Sequence, residues 1–341
     1  MSTRRVPDVM PIAPSIETML AGATDRVTLV DGAGKSGATL ERVTIDGDAY
    51  VVKYLVLADD WTMRAAGVLR GATLELWRRG LFARLPDCLD QPIVAVAWEP
   101  ATRARGPLTA VLMRDVGQWL VPVSDAAIPM PQQLRFLDHM AAMHAVFWGG
   151  GEEIEAVPPM HRYLELSPWT AAAEAALGSD HLVPKLVGEG WDRLAQVAPE
   201  AAAVVTPLAW DPTPLVHALE ATPQTFVHGN WKLDNLGTDA EGRTVVLDWE
   251  LPGRGAALSD LAWYLAINCR RLPQSKEATI DEYRAALERR GVDTGPWWQT
   301  QLRLCLLGAL VQFGWEKALG GYDDELAWWE ERAREGSELI R

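Results

Sequence analysis

Phe226-Val227-His228-Gly229-Asn230-Trp231-Lys232-Leu233-Asp234-Asn235 is the stretch on which the fold turns, together with Val245-Val246-Leu247-Asp248-Trp249-Glu250 downstream. Between them, Gly237-Thr238-Asp239-Ala240-Glu241-Gly242 reads as a turn joining two short strands. Such a hairpin sets the Asn235 amide and the Asp248 carboxylate at its two ends, where both can face one hard cation. Mg²⁺ favours oxygen donors of this kind, completed by waters and phosphate oxygens.

Working outward, residues 26–56 read as strands. Asp46-Gly47 is a strong hairpin signal between Arg42-Val43-Thr44-Ile45 and Tyr50-Val51-Val52-Lys53-Tyr54-Leu55. Lys53 is an odd charge among Val51, Val52 and Leu55. From Asp60 to Arg84 the pattern turns helical, and Glu75 is its one acidic residue beyond Asp60. Strand-like Ile93–Trp98 and Thr109–Met113 follow. Beyond Met113 nearly everything reads as helix, including the amphipathic run Gln132–Trp148, apart from a short strand-rich stretch near residues 235–247. The expectation is an α+β chain: a small β-rich half, a break near Arg114–Gly117, then a larger helical half.

Gly34-Lys35-Ser36 invites a phosphate-loop reading. That pattern needs a further glycine where Leu29 stands, and a helix opening at the lysine, whereas Ala38–Val43 reads as strand. What remains is a glycine-rich turn, Asp31–Gly37, of a kind that can fold over phosphates.

The 341 residues carry 32 Lys+Arg against 46 Asp+Glu, a formal charge of −14. That balance argues against a nucleic-acid binder, which needs a basic face. Three cysteines without a CxxC fit a reducing compartment. Met1–Leu20 has no apolar run of signal-peptide type, and no stretch is long enough to span a bilayer. A cytoplasmic, monomeric or weakly homo-oligomeric protein without a membrane partner is expected.

The two opening segments resemble the aminoglycoside phosphotransferase branch of the protein-kinase-like fold, whose signature is H-G-D-x-x-x-x-N followed by an I-D-W-E-like strand. His228, Gly229 and Asn235 match the first motif, Leu247-Asp248-Trp249-Glu250 the second, and Asp260-Leu261-Ala262 the segment after it. Tyr50-Val51-Val52-Lys53 resembles the V-A-I-K strand. The resemblance implies a bilobal protein-kinase-like fold, with a nucleotide-binding N-lobe over 1–114. A C-lobe over 115–341 would carry the catalytic loop, metal site and acceptor pocket. It further implies ATP or GTP with Mg²⁺, and a small-molecule hydroxyl acceptor such as an aminoglycoside, amino sugar, other sugar, choline or related alcohol. Nucleotide contacts would come from Gly34, Ser36 and Gly37 in the glycine-rich turn, Lys53 with Glu75 as its partner, and the hinge residues Arg114 and Val116. Asn235 and Asp248 would hold metal, while Asn230, Lys232 and Asp234 would form the catalytic set.

One position departs from the pattern: the family's catalytic aspartate falls on Asn230. An amide can hold a hydroxyl by hydrogen bond but cannot serve as a carboxylate base. The alternative is therefore a nucleotide-binding pseudokinase with a scaffold or sensor role. The acceptor pocket is expected to be acidic and aromatic; Trp169, Trp191, Trp210, Trp297, Trp298, Trp328 and Trp329 are the aromatic candidates, although such residues more often belong to the core or to helix-packing surface.

Overall fold

The computed structural model describes residues 11–29, 36–100 and 106–340. The chain opens with α1 (Ile16–Met19), β1 (Thr24–Thr28), β2 (Thr39–Ile45) and β3 (Asp48–Val56). There follow α2 (Trp61–Ala66), α3 (Ala72–Arg78), β4 (Leu89–Asp90), β5 (Ile93–Glu99) and β6 (Leu108–Arg114). A helical stretch comes next: α4 (Met130–Val146), α5 (Pro159–Leu164), α6 (Pro168–Ala176), α7 (Leu182–Val197), α8 (Pro199–Trp210) and α9 (Thr213–Glu220). Then come β7 (Gln224–Val227), β8 (Leu236–Thr238), β9 (Thr244–Val246) and β10 (Gly253–Ala256). The chain finishes with α10 (Ala257–Ile267), α11 (Lys276–Arg289), α12 (Trp298–Leu319) and α13 (Asp324–Ser337). The α+β expectation holds, with sheet before Arg114 and mostly helix after it.

The chain divides into two compact units, Met1–Val121 with Asn235–Glu250, and Pro122–Asp234 with Leu251–Arg341. A single boundary after Arg114 leaves residues 235–250 on the C-terminal side. In the structure they group with the N-terminal residues, because β9 runs parallel to β4 and antiparallel to β8.

The first unit is organised by an antiparallel sheet in the order β1-β2-β3-β6-β5. Asp46 and Gly47 both take positive φ, 52° and 90°, which is what a two-residue turn matching strand twist requires. Val43, Val52, Ala110 and Leu112 are buried on one face, with Leu20 packed on them. Period-2 alternation sends Lys53 to the face opposite Val52, where its neighbours across the sheet are Leu40 and Val111.

In the second unit α12 is buried on nearly every side, as expected of a helix apolar all round. No helix among the described residues is long and apolar enough to cross a membrane. β7 and β10 pair antiparallel within this helical half, a sheet that the sequence pattern does not reveal.

Candidate active site

Lys53 reaches from mid-β3 to the end of the β8–β9 hairpin. Its Nζ lies 2.6 Å from Asp248 Oδ1 and 3.6 Å from Glu250 Oε1. Burial alone would lower its pKa, but Asp248 and Glu250 outweigh that and hold the ammonium well above the usual lysine value. Lys53 is therefore a fixed cation. Glu250 Oε1 also accepts from Thr73 Oγ1 at 2.8 Å, whereas Glu250 Oε2 is buried with no hydrogen-bond partner among the described residues. Burial raises the Glu250 pKa, against the pull of Lys53.

Glu75 is not the partner of Lys53. It lies on α3 and bonds Arg78 at 3.2 Å and Arg79 at 3.9 Å. Residues three and four apart face each other on a helix, so those arginines capture it. The expected pairing is corrected to Asp248 and Glu250, and Glu250 is a site residue that the sequence reading did not select.

Asn235 and Asp248 stand at the two ends of the β8–β9 hairpin, as their spacing predicts; Leu247 N donates to Asn235 O at 2.9 Å. Asp248 takes φ 63°, a left-handed conformation that Asp and Asn tolerate better than most residues. Among the described residues no group of three His, Cys, Asp or Glu could hold a metal ion. The candidate donors are thus one amide oxygen and one or two carboxylates. Such a hard, incomplete oxygen set suits Mg²⁺, which keeps waters and shares phosphate oxygens. A small pocket links this polar end to apolar side chains of the sheet, Ile93, Val111 and Met113.

The remaining nucleotide candidates are placed unevenly. Gly34 lies outside the described residues. Ser36 Oγ donates to Asp60 Oδ2 at 2.8 Å, and Asp60 caps α2 by accepting from Met63 N at 3.0 Å. Gly37 has φ 107° and leads into β2, so a strand follows the turn as expected. The Arg114 guanidinium is committed to Asp90 at 2.7 Å, and the Val116 side chain is buried. Any contact with a base from these two must come from the main chain.

The loop carrying Asn230 belongs to the second unit. His228 N and Gly229 N donate to Asp260 Oδ2 and Oδ1 at 2.7 and 2.8 Å. Gly229 has φ 74°, and a Cβ there would sit 2.1 Å from Leu251 O, so only glycine fits. Asn230 is buried, and its N–H donates to His228 Nδ1 at 3.2 Å. Leu233 N donates to Asn268 Oδ1 at 3.1 Å. Lys232 is half-buried and Asp234 exposed. Of the tryptophan candidates, Trp191, Trp298 and Trp329 are buried, as core residues are, while Trp169 and Trp210 are about half exposed. A separate cavity of this unit is lined instead by Arg162, Tyr163, Trp263 and Gln312.

The model of the phosphotransferase enzyme family matches residues 124–297, just over half of the chain. Among solved structures, the chain is similar to a microcompartment-associated aminopropanol kinase at TM-score 0.50 and 12% identity, over 92% of this chain and 90% of that one. A thermostable mutant of aminoglycoside phosphotransferase APH(4)-Ia, in complex with ADP and hygromycin B, is similar at TM-score 0.49 and 16% identity, over 95% and 96%. Choline kinase LicA from Streptococcus pneumoniae is similar at TM-score 0.49 and 12% identity, over 94% and 96%. No curated protein sequence matches the chain significantly. The first of these likenesses is one of fold, and it is the bilobal kinase-like fold that the sequence motifs imply.

Proposed function

Since the chain belongs to the phosphotransferase enzyme family, we propose that it moves the γ-phosphoryl group of ATP or GTP to a hydroxyl of a small molecule. The observation that carries this reading is Lys53, a partly buried cation held between Asp248 and Glu250 at the end of the hairpin that also bears Asn235. Lys53 would hold the phosphates, and Asp248 with Asn235 would hold Mg²⁺. The metal, when bound, would neutralise charge developing on the transferring group. The main chain near Arg114 and Val116, with Ile93, Val111 and Met113, would border the base. Ser36 and Gly37 lead out of the glycine-rich turn and would lie near the phosphates.

Asn230 would stand where the acceptor hydroxyl is held, with Lys232 and Asp234 beside it in the same loop. Its amide can orient that hydroxyl but cannot take its proton. Phosphoryl transfer rests mostly on positioning and electrostatics, so loss of a base slows it without forbidding it. The acceptor class we favour is an aminoglycoside, amino sugar, sugar, choline or related alcohol, and the formal charge of −14 suits a cationic member. Asn230 equally favours a second reading, a nucleotide-binding pseudokinase. A thermal-shift series with ATP and GTP, each with and without Mg²⁺, followed by phosphate transfer to a panel of amines and sugars, separates the two. A Mg²⁺-dependent shift with transfer supports the kinase; a shift without transfer supports the pseudokinase; no shift removes both.

A further inference from the structure

Behind the loop that holds Asn230, three helices bring Tyr283 (α11), His144 (α4) and Asp260 (α10) together, all of them fully buried. Tyr283 OH lies 2.5 Å from His144 Nδ1, and His144 Nε2 lies 3.1 Å from Asp260 Oδ2. Asp260 in turn accepts the amides of His228 and Gly229, and His228 Nδ1 accepts the amide of Asn230. We propose that Tyr283 and His144 are positioning residues for phosphoryl transfer, a buried relay that fixes Asp260 and, through it, the loop bearing Asn230. The proposal rests on the reading of that loop as the seat of transfer.

The hydrogens follow from the partners. Among the described residues Tyr283 OH has no second hydrogen-bond partner, so its proton has one use, donation to His144 Nδ1. The imidazole must then carry its own proton on Nε2, which donates to Asp260; the opposite tautomer would set a bare nitrogen against a carboxylate. Burial pushes the Tyr283 pKa well above its usual value and so keeps that donor in place. For Asp260, burial favours the neutral acid, but the hydrogen bonds from His144 and from the His228 amide oppose it, and the pKa is lowered. The carboxylate therefore stays charged and can take two amides from successive loop residues. Arg162 adds positive charge on the α5 side, and Cys305 of α12 and Arg290 of α11 are the other titratable groups that act on the cluster. Removing the phenol hydroxyl leaves the buried His144 Nδ1 without its donor and loosens the hold on the imidazole, and through it on Asp260, without changing ring packing.

The test uses the full chain as Tyr283→Phe, His144→Gln and His144→Leu. Gln can still donate toward Asp260 and Leu cannot. Amide exchange of a 226–231 peptide and the ¹⁵N shifts of His144 report the relay directly; Mg-ATP binding and hydrolysis report its purpose. For Tyr283→Phe we expect about tenfold faster exchange at His228 and Gly229, a ¹⁵N shift of His144 Nδ1 that marks a lost hydrogen bond, and about tenfold slower hydrolysis. Mg-ATP affinity should stay within about twofold. His144→Gln should lie closer to the natural chain than His144→Leu. Unchanged exchange and an unchanged His144 Nδ1 shift in a folded Tyr283→Phe, or equal behaviour of the two His144 variants, would overturn the relay. Should Tyr283→Phe not fold, the two His144 variants decide alone. Failure of the natural chain to bind Mg-ATP would instead sink the transfer reading, and the catalytic purpose of the relay with it.

Discussion

Around Lys53 three carboxylates, Asp248, Glu250 and Asp60, act on one cation, whereas around Asp260 three hydrogen-bond donors share one carboxylate. In the first cluster burial drives the pKa of Glu250 and of Asp60 up, and a Glu250 oxygen has no donor among the described residues. In the second, both Asp260 oxygens are satisfied and the group stays ionised. A low-dielectric interior penalises the first arrangement and favours the second. The contrast distinguishes a cluster in which carboxylates outnumber the one cation among them from a frame complete in itself.

The sharpest way to break this comparison is at Asp248. Asp248→Asn keeps the backbone conformation and removes only charge. We expect loss of the Mg²⁺-dependent thermal shift and a fall in transfer of about 10²-fold or more, read by calorimetry and a phosphate-release assay. If the metal dependence survives, the donor set around Lys53 has been misassigned.

Next in size is Asn230, which the proposed function sets against the acceptor. Asn230→Asp should raise turnover on a true acceptor by about 10²-fold, with nucleotide affinity little changed, because the two side chains are nearly isosteric. Steady-state transfer by both forms on one acceptor checks it. Normal Mg-nucleotide binding with no transfer in a broad panel would leave the pseudokinase standing.

Glu250→Gln tests the strain in the Lys53 cluster. The folded pKa of Glu250 lies above its unfolded value, so its contribution to stability is full below the ordinary glutamate pKa, about 4.3, and is lost as pH rises through the folded value. The variant should therefore melt higher than the natural chain at pH 7 and above. It should match the natural chain below about pH 4, where both groups are neutral. A lower melting temperature at pH 8 would show that the Lys53 attraction outweighs burial. The smallest effect belongs to Glu75. Its partners are surface arginines, so Glu75→Gln should change stability by about 0.5 kcal/mol or less and leave Mg-ATP binding unaltered in the same calorimetric titration.

Legibility in the sequence followed the range of each interaction. The β2–β3 hairpin is written locally, in Asp46-Gly47 between alternating apolar residues, and Lys53 stands out among its valines. The Lys53 partner is not local: Glu250 lies far along the chain, and nothing within α3 distinguishes Glu75 from a residue destined for Arg78. β10 is hidden for a packing reason. Two of its four residues are glycines, because a Cβ at Gly253 or Gly255 would come 3.0 or 2.7 Å from the Arg162 guanidinium, which bonds the Val157 and Arg254 carbonyls. Glycines ordinarily argue against a strand, and here they make room for a buried arginine. His144 reads from its periodicity as a core residue of α4, but the identity of its neighbours depends on α10 and α11, more than a hundred positions away.

The left-handed backbone at Asp248 has a consequence for how this site can change over generations. At φ 63° a β-branched or bulky side chain is strained, so the substitutions open to drift narrow to glycine, asparagine and a few others. Glycine removes the carboxylate outright, and asparagine retains an oxygen without its charge. The main chain at this one position therefore filters mutations before any selection on catalysis, and an inactive descendant of this protein should more often carry Asn or Gly at 248 than Ala or Val.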